Sequence, residues 1–239
     1  MKACKRKYIE WGVVGIGALA LFLFFFRMLP YHLFHREQTQ LFLFTAETLA
    51  GYLSHPAALA CLAGDFLTQF FYYEGGGPAV MAGVLLLWGI VIFRLLFPYI
   101  GRWAWLPAVL AVLWETGRQC GLAYPLSGTI SLIGIGGVLL LCRSCVRRSW
   151  KSGLPVSVLA LLLGYWLFGC GNWSSKWYNT PNLGRERLLA LDSEMYFGRR
   201  EKVRKLLAEE EYRSPFATYY YNLLNAQQRQ LPDNLMDYY

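Results

Sequence analysis

Carboxyl groups inside apolar segments are the residues of this chain best suited to chemistry. Glu47 and Asp65 lie in two short apolar blocks, with His55 between them and Gln69 one helical turn after Asp65. An ionisable side chain within a membrane is costly enough to indicate a function, here a proton relay or a substrate pocket. In the alternative interpretation both carboxylates lie at the membrane interface, where water solvates them. These four polar residues form the candidate site.

The other reactive residue types do not indicate an enzyme. Glu115 has Arg118 three residues later, a spacing that predicts an ion pair at a helix end. Cys142 and Cys145 have the C-x-x-C spacing, but no second pair for zinc and no following His for haem accompanies them. We therefore predict no catalytic residue, no cofactor and no metal site, and an enzyme is the less favoured class.

The composition predicts that these residues are held by helices in a lipid bilayer. Hydrophobic residues make up 56% of the chain and charged residues only 16%, and the mean hydropathy is +0.31. These values are too apolar for an ordinary soluble domain of 239 residues. The net charge of +8 falls mostly before Trp173. It is therefore predicted to orient the chain in the membrane and not to bind nucleic acid.

The apolar segments predict an all-α, polytopic bundle. The first span, Ile9–Leu29, follows a basic start and ends without a small-x-small cleavage motif, so we predict an uncleaved anchor. Residues 40–73 form either two short crossing helices or a hairpin that enters the membrane and returns. Further spans are predicted at 79–97, 103–115, 122–142 and 154–170. Residues 1–173 are thus a transmembrane domain of about 5 to 7 spans, and residues 174–239 are a soluble helical tail.

Basic residues predict the orientation. Four of them precede the first span, and four more crowd residues 143–151, so both segments belong in the cytoplasm. The number of crossings between them is even whether or not residues 40–73 cross. The N-terminus is therefore cytoplasmic, and the tail is extracytoplasmic, or periplasmic in a Gram-negative inner membrane. Arg27 and Arg36 fall on the outer side and count against this orientation.

The tail has helical periodicity. One helix is predicted to end before Gly198, a second to begin near Arg199, a third to open at Ser214–Pro215 and a fourth to start at Pro232. This order is typical of stacked helical hairpins of the tetratricopeptide kind, although the repeat consensus is absent. An ordinary small helical domain fits the pattern as well.

Two functional hypotheses follow. In the first, the chain is a membrane-anchored scaffold whose extracytoplasmic tail recruits a protein or peptide through Tyr219, Tyr220 and Tyr221, which share one predicted helix. In the second, it is a transporter or a membrane enzyme with its polar site in residues 40–73. Convergence of the four polar side chains on one water-filled cavity would favour the second hypothesis.

Three segments carry a resemblance to a known family. Residues Gly64–Tyr73, Tyr196–Val203 and Leu231–Met236, together with the multi-span body, resemble an uncharacterised family of bacterial multi-pass membrane proteins known only as a domain of unknown function. The resemblance extends over the whole chain, and members of the family usually continue beyond its end. It implies that the chain stops inside a helical repeat, and it implies no catalytic or binding residues.

Overall fold

A computed structural model describes residues 2–40, 42–54, 56–148, 150–169, 180–208, 215–228 and 230. Over this part of the chain the secondary structure is helical, and no strand occurs. The helices are α1 (Lys2–Met28), α2 (Pro30–Thr39), α3 (Ala46–Leu53), α4 (Ala58–Thr68), α5 (Gly76–Ile100), α6 (Trp105–Gln119), α7 (Leu126–Arg148), α8 (Trp150–Phe168), α9 (Leu183–Tyr196), α10 (Arg200–Ala208) and α11 (Pro215–Gln227), with 3₁₀ turns at Gln69–Tyr72 and Gly101–Ala104.

Two helical stretches are long and apolar enough to cross a membrane, namely Gly76–Gln119 and Leu126–Val146. A third, Val14–Met28 with Pro30–Thr39, qualifies if the 79° bend between its two helices lies within one span. Shorter apolar helices cover Ala58–Tyr72 and Val156–Phe168.

The longest apolar stretch is a hairpin. At Gly101 the backbone has φ +56°, a left-handed conformation that glycine adopts without strain. The chain reverses near this glycine. The evidence is that Gly89 and Val112, which lie on either side of it in the sequence, are in contact: a methyl group added at Gly89 would lie 2.8 Å from the Val112 side chain. Gly76–Gln119 therefore folds into two antiparallel helices, α5, which contains residues 79–97, and α6, which begins two residues after the start of the predicted segment 103–115.

Successive long helices alternate in direction. Gly17 of α1 faces Leu86 of α5, while Phe22 of α1 faces Gly75 just before α5. Likewise Gly164 of α8 faces Val138 of α7, while Phe168 of α8 faces Gly134 of α7. In each pair, later residues of one helix meet earlier residues of the other, so both pairs are antiparallel. Small residues at such contacts let helix backbones approach closely. As a result α1, α6 and α8 all end at one end of the bundle, which we call the tail-side end.

The segment between residues 40 and 73 lies at the tail-side end. Helix α3 has only 8 residues and α4 has 11, whereas a crossing helix needs roughly 20. The N–H of Ala57 donates to the Trp166 carbonyl at 2.9 Å, and Gly64 packs against the backbone of Ser127. Both helices are therefore shorter than an ordinary crossing helix, and the choice between crossing and returning stays a prediction.

Two apolar cores are present in the described part of the chain. The first lies at the tail-side end and joins α1, α2, α5 and α7; its buried members include Phe25, Leu29, Leu33, Phe71, Met81, Leu85 and Leu126. The second lies among the tail helices and consists of Leu191, Val203, Leu207, Ala217 and Leu224.

The predicted helix boundaries in the tail are confirmed where they are described. Helix α9 ends just before Gly198, whose φ of +68° is the left-handed conformation expected after a helix. Helix α10 begins at Arg200, and α11 begins at Pro215. Ser214, the fourth predicted helix and the domain boundary at Trp173 lie outside the described residues. A stacked tetratricopeptide-like repeat stays a prediction.

Candidate functional site

A buried carboxylate joins α6 and α7 at the tail-side end. Glu115 is 1% exposed. Its Oε1 accepts hydrogen bonds from the Tyr124 hydroxyl at 2.7 Å and from the Thr129 hydroxyl at 2.6 Å. Its Oε2 lies 3.3 Å from the Arg118 guanidinium, so the predicted ion pair is confirmed. Glu115 is thus the centre of a polar network, which is more than the predicted pair at a helix end.

The network continues to α2 through Arg36, which is 2% exposed. Arg36 Nη1 donates to Gln119 Oε1 at 2.9 Å, and Gln119 Nε2 donates to the Thr129 hydroxyl at 2.6 Å. We call Arg36, Glu115, Arg118, Gln119, Tyr124 and Thr129 the polar cluster. It links α2 to two consecutive helices, α6 and α7, that come much later in the chain.

The polar cluster carries more positive than negative charge. The cluster contains two guanidinium groups, of Arg36 and Arg118, and one carboxylate, of Glu115, which pairs with Arg118. Nε and Nη2 of Arg36 lack a hydrogen-bond partner among the described residues. His32, one turn earlier on α2, has a buried Nε2 that also lacks one. Buried donors normally find partners. The arrangement can therefore accept a water molecule or a small anion next to Arg36.

The cluster also bears on the orientation argument. Arg36 counted against a tail outside the cytoplasm because basic loop residues favour the cytoplasmic side. The structure places this arginine inside the protein, bonded to Gln119. It is therefore not a free loop charge.

A second polar contact fastens the tail to the bundle. The first turn of α2 has no capping side chain of its own. Instead, Glu186 of α9 accepts from the backbone N–H groups of Tyr31 at 2.6 Å and His32 at 3.1 Å. A carboxylate at this position satisfies unpaired N–H groups and interacts favourably with the helix dipole. Helix α2 is thus capped by a residue of the tail.

Burial and hydrogen bonding act on Glu186 in opposite directions. Desolvation is the larger effect and raises the pKa of this carboxyl group to about 7, while the backbone N–H groups of His32 and Tyr31 lower the pKa in part. Glu186 therefore changes charge close to neutral pH.

Glu194, two turns after Glu186 on α9, also contacts α2. This residue is 1% exposed. Its Oε1 accepts from the Tyr31 hydroxyl at 2.9 Å and lies 3.4 Å from Lys202 Nζ and 3.5 Å from Arg199 Nη1. One carboxylate thus ties α2 to both α9 and the start of α10.

The tail also contains a groove between α10 and α11. The groove has a volume of about 380 Å³, and its lining includes Arg204, Leu207, Tyr221, Asn225 and Gln228. Asn225 is 5% exposed, and its Nδ2 has no partner among the described residues. An amide donor, a guanidinium and an aromatic ring therefore occur together in one concave surface.

Two residues of the predicted polar site are neighbours in the structure. Asp65 accepts from the Tyr52 hydroxyl at 2.6 Å, and Gln69 Nε2 donates to the Asp65 carbonyl at 3.4 Å and to the Gln40 carbonyl at 2.8 Å. Glu47 is exposed on α3. His55 lies outside the described residues. A site that joins all four residues stays a prediction.

The three predicted partner-binding tyrosines have different environments. Tyr219 is 62% exposed. The Tyr220 hydroxyl donates to Asp192 at 2.8 Å, and Tyr221 lines the groove. Two of the three therefore face surfaces that a partner can reach.

Sequence reasoning missed the polar cluster because its parts are distant in the chain. Arg36 and Gln119 are 83 positions apart. One signal was available, since Glu115 and Gln119 are one helical turn apart at the polar end of a helix that is apolar over its first ten residues. Over the described ranges, no three His, Cys, Asp or Glu side chains are grouped so that they could hold a metal ion.

One protein family matches the chain. Its description is "Family of unknown function", DUF6057, and the match covers residues 5–180. The match confirms the resemblance to an uncharacterised family, but it ends before α9, whereas the resemblance was expected over the whole chain. No curated protein and no solved structure matches.

Proposed function

This chain belongs to the family of unknown function DUF6057, and we propose that it is a membrane-anchored scaffold whose helical tail binds a protein partner. The observation that carries the proposal is that the tail contacts the bundle on one side and has a groove on another. Helix α9 is fastened to α2 by Glu186 and Glu194, whereas α10 and α11 form a groove away from that contact.

The proposed scaffold is a multi-pass protein of the bacterial inner membrane. Five helices, α1 and α5 to α8, cross the bilayer, and α3 and α4 lie at its outer surface. The alternating helix directions support this arrangement. So does the charge distribution, because Arg102 and Arg143 lie at the end opposite the tail. The N-terminus is then cytoplasmic, and the tail is extracytoplasmic.

The groove suits a short peptide segment of a partner. Asn225 offers an amide N–H to a peptide carbonyl. The Arg204 guanidinium, which bonds Gln228 and Glu201 in the structure, favours an acidic segment whose carboxylate replaces one of these partners. Leu207 and Leu224 provide apolar wall, and Tyr221 adds a rigid aromatic surface. The partner's segment thus gains both hydrogen bonds and apolar contact.

Crosslinking in intact cells tests the scaffold. A photoreactive phenylalanine analogue replaces Ala208, which is exposed and lines the groove, and in a matched control it replaces Leu183, which is exposed at the start of α9. We expect a discrete crosslinked protein from position 208 that Asn225→Ala abolishes. Equal crosslinking from both positions, or none from position 208, contradicts the proposal.

A second candidate function is transport or membrane catalysis at the polar cluster. The observation that favours it is the buried Arg36, which has two guanidinium nitrogens without partners. A buried charge whose donors lack partners among the described residues is a candidate for function, because buried donors normally find partners. For this function Arg36→Gln abolishes a cellular phenotype at normal membrane levels. If the site lies in residues 40–73 instead, Asp65→Asn and Glu47→Gln have that effect and Arg36→Gln does not.

A further inference from the structure

A crevice separates the tail from the bundle at the bend between α1 and α2. It has a volume of about 260 Å³ and is lined by residues of both helices, by the segment before α5, and by α9 and α10. Its aromatic wall includes Phe34, whose ring lies 5.0 Å from Phe197 and 6.2 Å from Tyr72. We call this space the aromatic crevice.

The charges of the aromatic crevice balance. Among the described residues that line it, Glu74 and Glu194 are acidic, and Arg199 and Lys202 are basic. Arg199 and Lys202 have half or more of their side-chain surface exposed. A ligand with one negative and one positive group therefore matches the crevice better than an anion, because an anion would also face both carboxylates.

Two features suit a positive group in particular. Glu194 Oε2 is buried without a hydrogen-bond partner among the described residues, although Oε1 of the same carboxylate is fully engaged. Aromatic faces attract cations, and Arg199 already lies 5.0 Å from the centre of the Phe197 ring. A primary ammonium brought beside Glu194 and Glu74 gains both kinds of interaction.

We propose that the aromatic crevice binds the headgroup of a zwitterionic aminophospholipid, with its phosphate on Arg199 and Lys202 and its ammonium on Glu74 and Glu194. The proposal rests on the membrane arrangement proposed above, which places the end of α1 at the bilayer surface. Aromatic side chains are common at that level of a membrane protein. The bound lipid then fills the space between the tail and the bundle.

Lipid binding to the purified full-length chain in detergent tests the proposal. Native mass spectrometry compares phosphatidylethanolamine with phosphatidylcholine and phosphatidylglycerol of the same acyl chains, and with soluble glycerophosphoethanolamine. We expect phosphatidylethanolamine to bind about tenfold more tightly than the other two lipids, because only its ammonium donates hydrogen bonds to carboxylates.

Variants locate the binding. Lys202→Gln and Glu74→Gln change exposed side chains, so the fold is preserved, and each weakens phosphatidylethanolamine binding by about tenfold. Lys205→Gln is the matched control, since Lys205 is exposed on the same helix outside the crevice. Equal binding of the three lipids, or equal effects of all three variants, overturns the proposal.

A further comparison distinguishes a membrane lipid from a soluble molecule with the same headgroup. If glycerophosphoethanolamine binds as tightly as the lipid, a membrane lipid is not the occupant. Lipid binding in detergent depends neither on a peptide partner nor on the side that the tail faces. Failure of the proposed scaffold in crosslinking therefore leaves this measurement unchanged.

Discussion

Glu115 shows how much one buried carboxylate contributes at the residue scale. It accepts hydrogen bonds from Tyr124 and Thr129 and pairs with Arg118. Its removal leaves these donors without an acceptor inside the protein, a loss that costs about 3–5 kcal/mol for a buried ion pair. The carboxylate therefore holds the ends of α6 and α7 together.

We predict that Glu115→Ala destabilises the protein by about 3–5 kcal/mol, as measured by unfolding in detergent. Glu47→Ala is the matched control, because Glu47 is exposed, and we expect a change within about 0.5 kcal/mol. A stability loss of equal size in both variants would show that Glu115 does not hold the ends of α6 and α7 together.

The second residue-scale prediction concerns pH and Glu186. Its pKa is about 7 in the folded protein, above the ordinary value of 4.5. The folded state therefore binds more protons than the unfolded state between these values, so the contribution to stability is complete below pH 4.5 and falls as pH rises to 7. The total change is about 3 kcal/mol.

We therefore expect the contact between α2 and α9 to be more stable at pH 5 than at pH 8. Hydrogen exchange at the backbone N–H groups of Tyr31 and His32, corrected for intrinsic rates, measures this stability. Glu186→Gln keeps an acceptor without a titratable charge, and it should remove the pH dependence. Equal protection of the wild-type protein at both pH values would falsify this mechanism.

At the element scale, glycine sets the distance between helices. A methyl group at Gly64 of α4 would lie 2.7 Å from the backbone nitrogen of Ser127 in α7, so these helices would have to separate. At Gly83 of α5 a methyl group would meet nothing within 4 Å. The same substitution therefore has opposite effects at the two positions.

We predict that Gly64→Ala destabilises the protein by about 1–3 kcal/mol through overpacking. Gly83→Ala should stabilise it by up to about 1 kcal/mol, because alanine is the better helix former. Thermal unfolding of both variants in one detergent makes the comparison. If both variants shift the midpoint of thermal unfolding in the same direction, Gly64 is not in close contact with Ser127.

The element scale also shows which features the sequence can predict. Gly198 and Pro215 mark helix ends through local backbone chemistry, and the predicted boundaries there are confirmed. The contact of Glu186 with α2 could not be predicted, since it joins residues 155 positions apart and leaves no periodic pattern. The candidate carboxylates Glu47 and Asp65 were chosen for their apolar surroundings in the chain. Burial is instead greatest at Glu115, whose neighbours in sequence are partly polar.

At the scale of the whole molecule, the alternating helices predict where each loop lies. Reporters inserted after Lys151 and after Tyr178 should be active on opposite sides of the membrane, the first in the cytoplasm. One helix, α8, separates the two positions, so a shared compartment for both reporters contradicts a crossing by α8. Reporters inserted in the exposed residues of α3 should behave like the one after Tyr178.

The capping of α2 by α9 has a consequence for synthesis. The ribosome adds about 5–20 residues per second, so the 155 positions between Tyr31 and Glu186 take roughly 8–31 s to translate. During that interval the first N–H groups of α2 can be satisfied only by water, lipid or another protein. The contact between α2 and α9 forms only after α9 has emerged, so a helix made late completes the capping of one that was made second.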